Sequence, residues 1–434
     1  MGQRGSLRPM AGLLAAMTVS LTGTRVSAIA LPWFVLTTTG SAAQTGVVAF
    51  AEMAPYVLVK ALAGPLVDRV GPRRISWAGD VVSATAAGTV VLLHALDLLP
   101  LGALLALVAA VGAARGPGDL AKEVMVPEAA ERGRVPLERA TGLMGVTERL
   151  AQTVGPAAGG AMVALLGPLT GLVVSVVCFA LGSVIVAWAL PRGMGHSAPA
   201  QEAREGYWRR FGQGVTFLRG EPLLLSVVVM VGITNLLDAA FSQVLVFVWA
   251  SESGQGAAVV GLNSSVAGFA AVGGSLVAAA VAHRMPRRPV FFVAFLLAGP
   301  TRFLILAVDA PLWVMLAVFA VGGFAAGFLN PILGAISYER VPRHLLGRVN
   351  ALRDSLAWAG IPLGGLVGGA AVVAAGLTPV LLAGGAAYAL TTSLTGLRPE
   401  WRKLDGPHRQ GPPAVPASPE GADRAGAAGA ERSP

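Results

Sequence analysis

The sequence predicts an all-α membrane protein of twelve transmembrane helices, arranged as two pseudo-symmetric six-helix bundles. Three observations carry that expectation: sustained apolarity, the placement of the basic residues, and an internal repeat. Of 434 residues, 54% are hydrophobic and only 13% charged. The mean hydropathy is clearly positive, outside the range of soluble domains. A span needs ~20 predominantly apolar residues. Such stretches fall at roughly 10–38, 43–66, 75–96, 99–120, 140–165, 168–190, 222–250, 256–282, 289–308, 311–336, 349–375 and 378–397. The alternation of apolar and polar residues that a transmembrane barrel requires is absent, so the spans are helices. Their abundant Gly and Ala suit close helix packing in lipid.

A net charge of +9 in a soluble protein would suggest nucleic acid as a partner; here the topology accounts for it. With the N-terminus in the cytoplasm, the inner segments hold Arg4 and Arg8, then Arg69, Arg73 and Arg74, then Lys122, Arg132, Arg134 and Arg139. Later inner segments hold Arg192 to Arg219, Arg284 to Arg288, Arg340 to Arg348, and a tail from Arg398 onward. The outer connections, "TTTGSAAQ", "HALDLLP", "LGPLT", "SESGQG", "VDAP" and "AGLTP", contain no Lys or Arg. This asymmetry places both termini in the cytoplasm of a plasma-membrane (inner-membrane) protein. The first span, with Thr22, Thr24 and Arg25, is too long and too polar for a cleaved signal peptide. The single cysteine, Cys178, lies within an apolar span and reads as a packing residue.

The domain boundaries follow from the polar interruptions. Residues 1–190 form an N-terminal bundle, and 191–221 a cytoplasmic linker. Residues 222–398 form a C-terminal bundle, and 399–434 a Pro/Ala/Gly-rich tail expected to be disordered. Within the linker, "GYWRRFGQGVTFL" alternates apolar and basic residues at near-helical spacing and suits an amphipathic helix on the inner surface. Sliding the chain by 209 positions sets Arg134 on Arg343, Leu137 on Leu346, Arg139 on Arg348 and Leu143 on Leu352. The same register sets Gly155 on Gly364, Gly159 on Gly368, Gly160 on Gly369 and Gly167 on Gly376. An even number of spans separates matching residues, so the halves run parallel and can rock about a central cavity.

"GPLVDRVGPRR", between the second and third spans, supplies Gly64, Asp68, Arg69, Gly71, Arg73 and Arg74. On these residues the chain resembles the major facilitator superfamily of secondary transporters. Its hallmark loop has Gly, three residues, Asp-Arg, one residue, Gly and then basic residues; here Pro72 stands where the first basic residue is usual. A vestige, "AHRMPRRP", sets Pro286-Arg287-Arg288 opposite Pro72-Arg73-Arg74. The fifth span carries "AQTVGPAAGG", which resembles the motif of the proton-antiporting exporters, with Gly155, Pro156, Gly159 and Gly160, and Ala151 in place of a leading glycine. The stretches around 25–80 and 341–365 resemble the branch containing macrolide efflux proteins and the enterobactin exporter. The resemblance implies the major facilitator fold and alternating access. It also implies a gating set in which the loop joins Asp80, Arg115, Asp119, Arg353 and Asp354 in ion pairs linking the second, third, fourth and eleventh spans when the transporter faces outward.

Ionisable side chains at mid-membrane cost roughly 2.5–3.5 kcal/mol each on insertion scales, so each needs a reason. Glu52 and Asp238 lie near the middle of the second and seventh spans and are candidate carriers of a coupling proton. Arg25, mid-way along the first span, is expected to pair with Asp238 or Glu52. Asn235, three residues before Asp238, shares its helix face and suits a bond to substrate or to that carboxylate. Lys60 is expected to extend to the inner surface, and Arg302 to lie in a peripheral span.

No Gly-x-x-x-x-Gly-Lys-Ser/Thr loop exists for ATP. The five histidines show no metal-ligand spacing and no nucleophile-base constellation. The expectation is therefore a monomeric, non-enzymatic secondary transporter without cofactor. It would take a small, bulky amphipathic substrate, use protons as coupling ion, have the lipid bilayer as its surroundings and bind no nucleic acid. Export is favoured over uptake or facilitated diffusion, with a transport-inactive scaffold a distant alternative.

Overall fold

The computed structural model describes residues 7–192, 194, 207–281, 285–308, 310–341 and 346–404. In chain order the helices are α1 (Arg8–Thr39), α2 (Ala42–Val70), α3 (Pro72–Ala95), α4 (Leu101–Val124), α5 (Val126–Gly133), α6 (Leu137–Leu166), α7 (Pro168–Ala189), α8 (Tyr207–Gly220) and α9 (Pro222–Ala240). A π-helical turn, Phe241–Leu245, joins α9 to α10 (Val246–Glu252). There follow α11 (Gly256–Val281), α12 (Arg287–Ala298), α13 (Pro300–Ala307), α14 (Leu312–Ala326), α15 (Leu329–Arg340), α16 (Leu346–Trp358), α17 (Ile361–Ala375) and α18 (Leu377–Gly396). A short 3₁₀ helix, Pro399–Leu404, ends the described chain.

Among the described residues, ten helices are long and apolar enough to cross a membrane. Two of the twelve expected stretches fall outside that set. α6 carries Arg139, Glu148 and Arg149 in its first half, and α14, at 15 residues, is too short by itself and continues into α15 after a break at Gly327-Phe328.

Local sequence explains where the helices start and bend. Ser41 caps α2, its hydroxyl accepting from the Gln44 amide at 3.3 Å. Pro opens α3, α7, α9 and α13, where a missing N–H costs nothing. Gly71, between α2 and α3, has φ of 101°, which explains the second glycine of the loop motif. Gly167 and Gly376, matched by the repeat, have φ of 83° and 79° and each begins the next helix.

The repeat is visible in the packing. Gly155 and Gly159 face Arg25 and Val26 of α1, while their partners Gly364 and Gly368 face Leu236, Ala239 and Ala240 at the end of α9. The next glycines cross to the other half. A Cβ on Gly160 would lie 2.9 Å from the Ala257 carbonyl, and one on Gly369 would lie 2.5 Å from the Ala42 carbonyl. The reciprocal contacts are alike: a Cβ on Gly261 would lie 2.3 Å from the Pro156 carbonyl, and one on Gly46 would lie 2.3 Å from that of Gly365. The halves therefore meet along α2/α17 and α6/α11, backbone against backbone, as small residues allow in lipid. All these contacts lie within the two or three turns nearest Gly40, Gly167, Gly256 and Gly376, the end opposite the basic one that carries Arg8, Arg73 and Arg288.

One expectation about this framework changes. Pro399–Leu404, assigned to the disordered tail, is helical, and Trp401 is fully buried, donating from Nε1 to the Ser226 hydroxyl at 2.8 Å. Residues 405–434 lie outside the described residues, as does Arg343 of the repeat. Arg73 donates to the carbonyls of Ala187 and Leu190 at the end of α7, at 2.6 and 2.8 Å. Arg288 makes a related contact with Gly396 at the end of α18, at 2.7 Å. In both halves an arginine thus satisfies the last carbonyls of the final helix. The linker does form a helix, α8, with Leu218 buried.

Candidate functional site

Two cavities lie side by side, one in each half. The first, about 600 Å³, is lined from α1, α2, α4 and α6, with Gln243 of the π turn and Trp358 of α16 on the far side. It runs from Pro32 and Thr45, beneath the glycine contacts, to Lys60 and Glu123 near the basic end. The second, about 460 Å³, lies among α9, α11, α13, α14 and α18. Ile29, Ser242 and Ser264 line both, so the cavities adjoin.

The first cavity is rich in paired charge. The Arg115 guanidinium lies 3.5 Å from Glu52 and 3.7 Å from Asp119. The Tyr56 hydroxyl donates to Asp119 at 3.3 Å, and the Tyr56 ring lies under both Arg115 and Lys60. Lys60 reaches Glu123 at 3.2 Å and stands over the Trp358 ring of the other half at 5.7 Å. At its edge, Lys122 bonds Asp80 and the Ser20 hydroxyl, both at 2.8 Å, and all three residues are nearly inaccessible. Gly182 of α7 leaves room for this cluster, because a Cβ there would lie 2.7 Å from the Ser20 hydroxyl.

Among the described residues the second cavity has one ion pair, and it has an aromatic wall. Arg302 of α13 bonds Asp238 of α9, and its guanidinium stacks on Phe241 at 4.9 Å and Phe303 at 5.6 Å. Phe295, Phe319 and Tyr388 complete the wall. The backbone yields to build it. The break at Gly299-Pro300 turns Arg302 inward, and Gly299 lies so close to the Tyr388 ring that no Cβ would fit. The π turn follows Asp238 by three residues and presents Ser242 to both cavities. Single π turns inside helices recur at functional sites.

Several sequence expectations are corrected here. Arg25 pairs with neither Asp238 nor Glu52, since Arg302 and Arg115 hold those carboxylates. Arg302 is not peripheral but central to the second cavity. Asn235 lines that cavity, yet its amide donates to the Ala357 carbonyl at 2.9 Å, capping the end of α16 rather than holding Asp238. Asp80 is buried in the Lys122 and Ser20 cluster. Arg115 and Asp119 join α4 to α2 at the cavity. Arg69 and Arg74 are exposed, and Arg353 is half-buried on α16. The side chains of Asp68 and Asp354 lie outside the described residues.

Tyr56, Lys122, Phe241, Arg302 and Tyr388 were missed as site residues. Arg302 carried a usable signal: an arginine just past Gly-Pro in an apolar span costs as much as Arg25 and needs a partner. A tyrosine or phenylalanine in an apolar span carries none.

The fold matches solved transporters. A mutant form of the nucleoside transporter NupG superposes with a TM-score of 0.74 at 14% identity, covering 92% of this chain and 100% of that one. A bacterial homologue of the human lysosomal transporter Spinster, in an inward-facing and unoccupied conformation, gives 0.67 at 13%, covering 93% and 100%. At such identities the likeness speaks for the fold alone. The family model described as "transmembrane secretion effector", of the MFS_3 group, matches residues 9–412. The chain belongs to the major facilitator superfamily. This transporter is 33% identical over 404 residues to the multidrug efflux pump Tap of Mycobacterium tuberculosis (strain ATCC 25618 / H37Rv), covering 91% of this chain and 94% of that one. It is 30% identical over 400 residues to Tap of Mycolicibacterium fortuitum, covering 91% and 96%. The protein is therefore a multi-pass membrane transporter of small molecules and not an enzyme.

Proposed function

We propose that this transporter exports small amphipathic compounds in exchange for protons. Residues 1–190 and 222–398 would be two rocking halves, joined by a linker over 191–221, with both termini in the cytoplasm. The relatives named multidrug efflux pumps support the direction and the broad substrate class. The observation that carries the reading is the pair of carboxylate–arginine contacts, Glu52 with Arg115 and Asp238 with Arg302, one in each of two adjoining cavities. The first cavity offers charged groups and the second an aromatic wall, which together suit a molecule with a polar and an apolar end.

An ion pair at a cavity wall is a reversible tie. A proton on Asp238 removes the charge that holds Arg302, and the tie between α9 and α13 weakens. Arg302 keeps its stacking on Phe241 and Phe303 meanwhile, so it is not left without support. Glu52 and Arg115 form the corresponding tie between α2 and α4. In this orientation the glycine contacts would seal the outer side, and the first cavity would open to the cytoplasm, ready to load. Closing the cytoplasmic side would bring Asp68 and its loop against the inner end of the eleventh span. The fifth-span residues Gly155, Pro156, Gly159 and Gly160 would serve as the bearing between the halves.

Everted membrane vesicles under an imposed pH gradient test this. The wild type should accumulate a fluorescent amphipathic drug, and Asp238→Asn and Glu52→Gln should each lose gradient-driven uptake while still folding. Unchanged uptake in both variants would make the coupling assignment wrong. Asp68→Asn should slow uptake without impairing insertion.

A further inference from the structure

The first cavity is lined by four cationic side chains, Arg25, Lys60, Arg115 and Lys122. Three of them have carboxylates: Arg115 has Glu52 and Asp119, Lys60 has Glu123, and Lys122 has Asp80. The remaining acid of the lining, Glu148, accepts from the Gln152 amide at 3.2 Å. Arg25 has no hydrogen bond or ion pair among the described residues, and its Nε is fully buried without an acceptor. A charged donor in that state is costly unless a ligand completes it.

The position of Arg25 is built and not incidental. A Cβ on Gly155 would lie 2.5 Å from the Arg25 Cβ, and one on Gly159 would lie 3.1 Å from the Val26 Cα. The same motif that seals the two halves through Pro156 and Gly160 therefore seats Arg25 against the cavity wall. Four residues on, Ile29 lies on the same face of α1, roughly 6 Å away along the axis. Ile29 lines both cavities and stands between Arg25 and the aromatic wall of Phe241, Phe295 and Phe319.

We propose that Arg25 is the binding point for a carboxylate on amphipathic substrates, whose apolar body passes Ile29 into the aromatic cavity. The planar guanidinium matches a carboxylate through two parallel N–H donors, a geometry that an ammonium group cannot copy. The site sets a preference among export substrates, and so rests on the reading of these cavities as the substrate path.

The test is binding without any gradient, so that its failure and a failure of proton coupling are separate results. The purified protein in phosphatidylcholine nanodiscs is titrated with dansylaminoundecanoic acid and with its methyl ester, which differ only in the charged group. The acid should bind the wild type about tenfold or more tightly than the ester, as expected for a charge-assisted bond. Arg25→Gln should bring the acid down to the ester's affinity, and Arg25→Lys should retain part of the preference. Glu148→Gln, which removes a nearby negative charge, should strengthen acid binding and leave the ester unchanged. Equal affinities in the wild type, or a preference that survives Arg25→Gln, would overturn the proposal. If Arg25→Gln loses the ester as well, through misfolding, the Glu148→Gln result decides: no gain for the acid overturns the assignment.

Discussion

The two halves share a backbone frame and differ in what they do with it. Gly155, Gly159 and Gly160 in α6 are answered by Gly364, Gly368 and Gly369, and each set packs against its own half's first helix and the other half's second. The first half keeps its helices continuous and concentrates charge: Glu52, Arg115, Asp119, Lys60 and the buried Asp80–Lys122 pair. The second half breaks its helices at Gly299-Pro300, at Gly327-Phe328 and at residues 359–360, and places a π turn after Asp238. Among the described residues it has a single ion pair at its cavity, surrounded by aromatic rings. The lesson is that duplication preserved the contacts requiring small residues, where any side chain would collide. The cavity linings, where many side chains fit, diverged.

The largest effect should come from the shared frame. Gly46→Leu or Gly261→Leu would place side-chain atoms against the carbonyls of Gly365 or Pro156, where a Cβ alone would lie at 2.3 Å. Neither backbone can retreat without separating the halves, so transport should be abolished in both variants. Flux in reconstituted vesicles checks this, and transport by one of the two would show that the interfaces are not equivalent.

Next comes the buried pair confined to the first half. Asp80→Asn leaves Lys122 charged and unpaired, at a cost of about 3–5 kcal/mol. Thermal unfolding in detergent should register a large drop. Adding Lys122→Met should recover most of it, because the desolvated charge is then gone. No recovery would mean that Asp80 stabilises through its bond with Ser20 instead.

The helix-end arginines should matter less. Arg73→Ala frees the carbonyls of Ala187 and Leu190, and a bond to a charged donor is worth about 1.5–3 kcal/mol. Arg288→Ala should have a similar effect at Gly396. Thermal melting in detergent checks both, and an unchanged midpoint in either variant would mean that its carbonyls are satisfied without the arginine. The smallest effect belongs to Lys60→Gln. Its partner Glu123 is 43% exposed, and such pairs contribute about 0–1 kcal/mol.

Much of the fold was legible because bilayer thickness dictates span length and uncompensated backbone polarity dictates helix. The glycine register was legible too, since small residues at fixed spacing have few other uses in lipid. Charge partners were not. Arg25, Glu52, Asp238 and Arg302 are each conspicuous in sequence, but the pairing expected for Arg25 failed because every acid within reach already had a partner or a nearer donor. The span in which Arg302 falls suggests a peripheral place, but the Gly299-Pro300 break decides where it points.

By itself, then, the sequence determined the class of structure, the two-fold repeat and the glycines that join the halves, because these depend on length, composition and the absence of side chains. Tertiary structure alone decided which charges meet, which cation is left over and which aromatic rings enclose the second cavity. Those outcomes depend on helix rotation and on local breaks, and a rotation of one residue's worth, about 100° at 3.6 residues per turn, moves a side chain from one neighbour to another while leaving hydropathy unchanged.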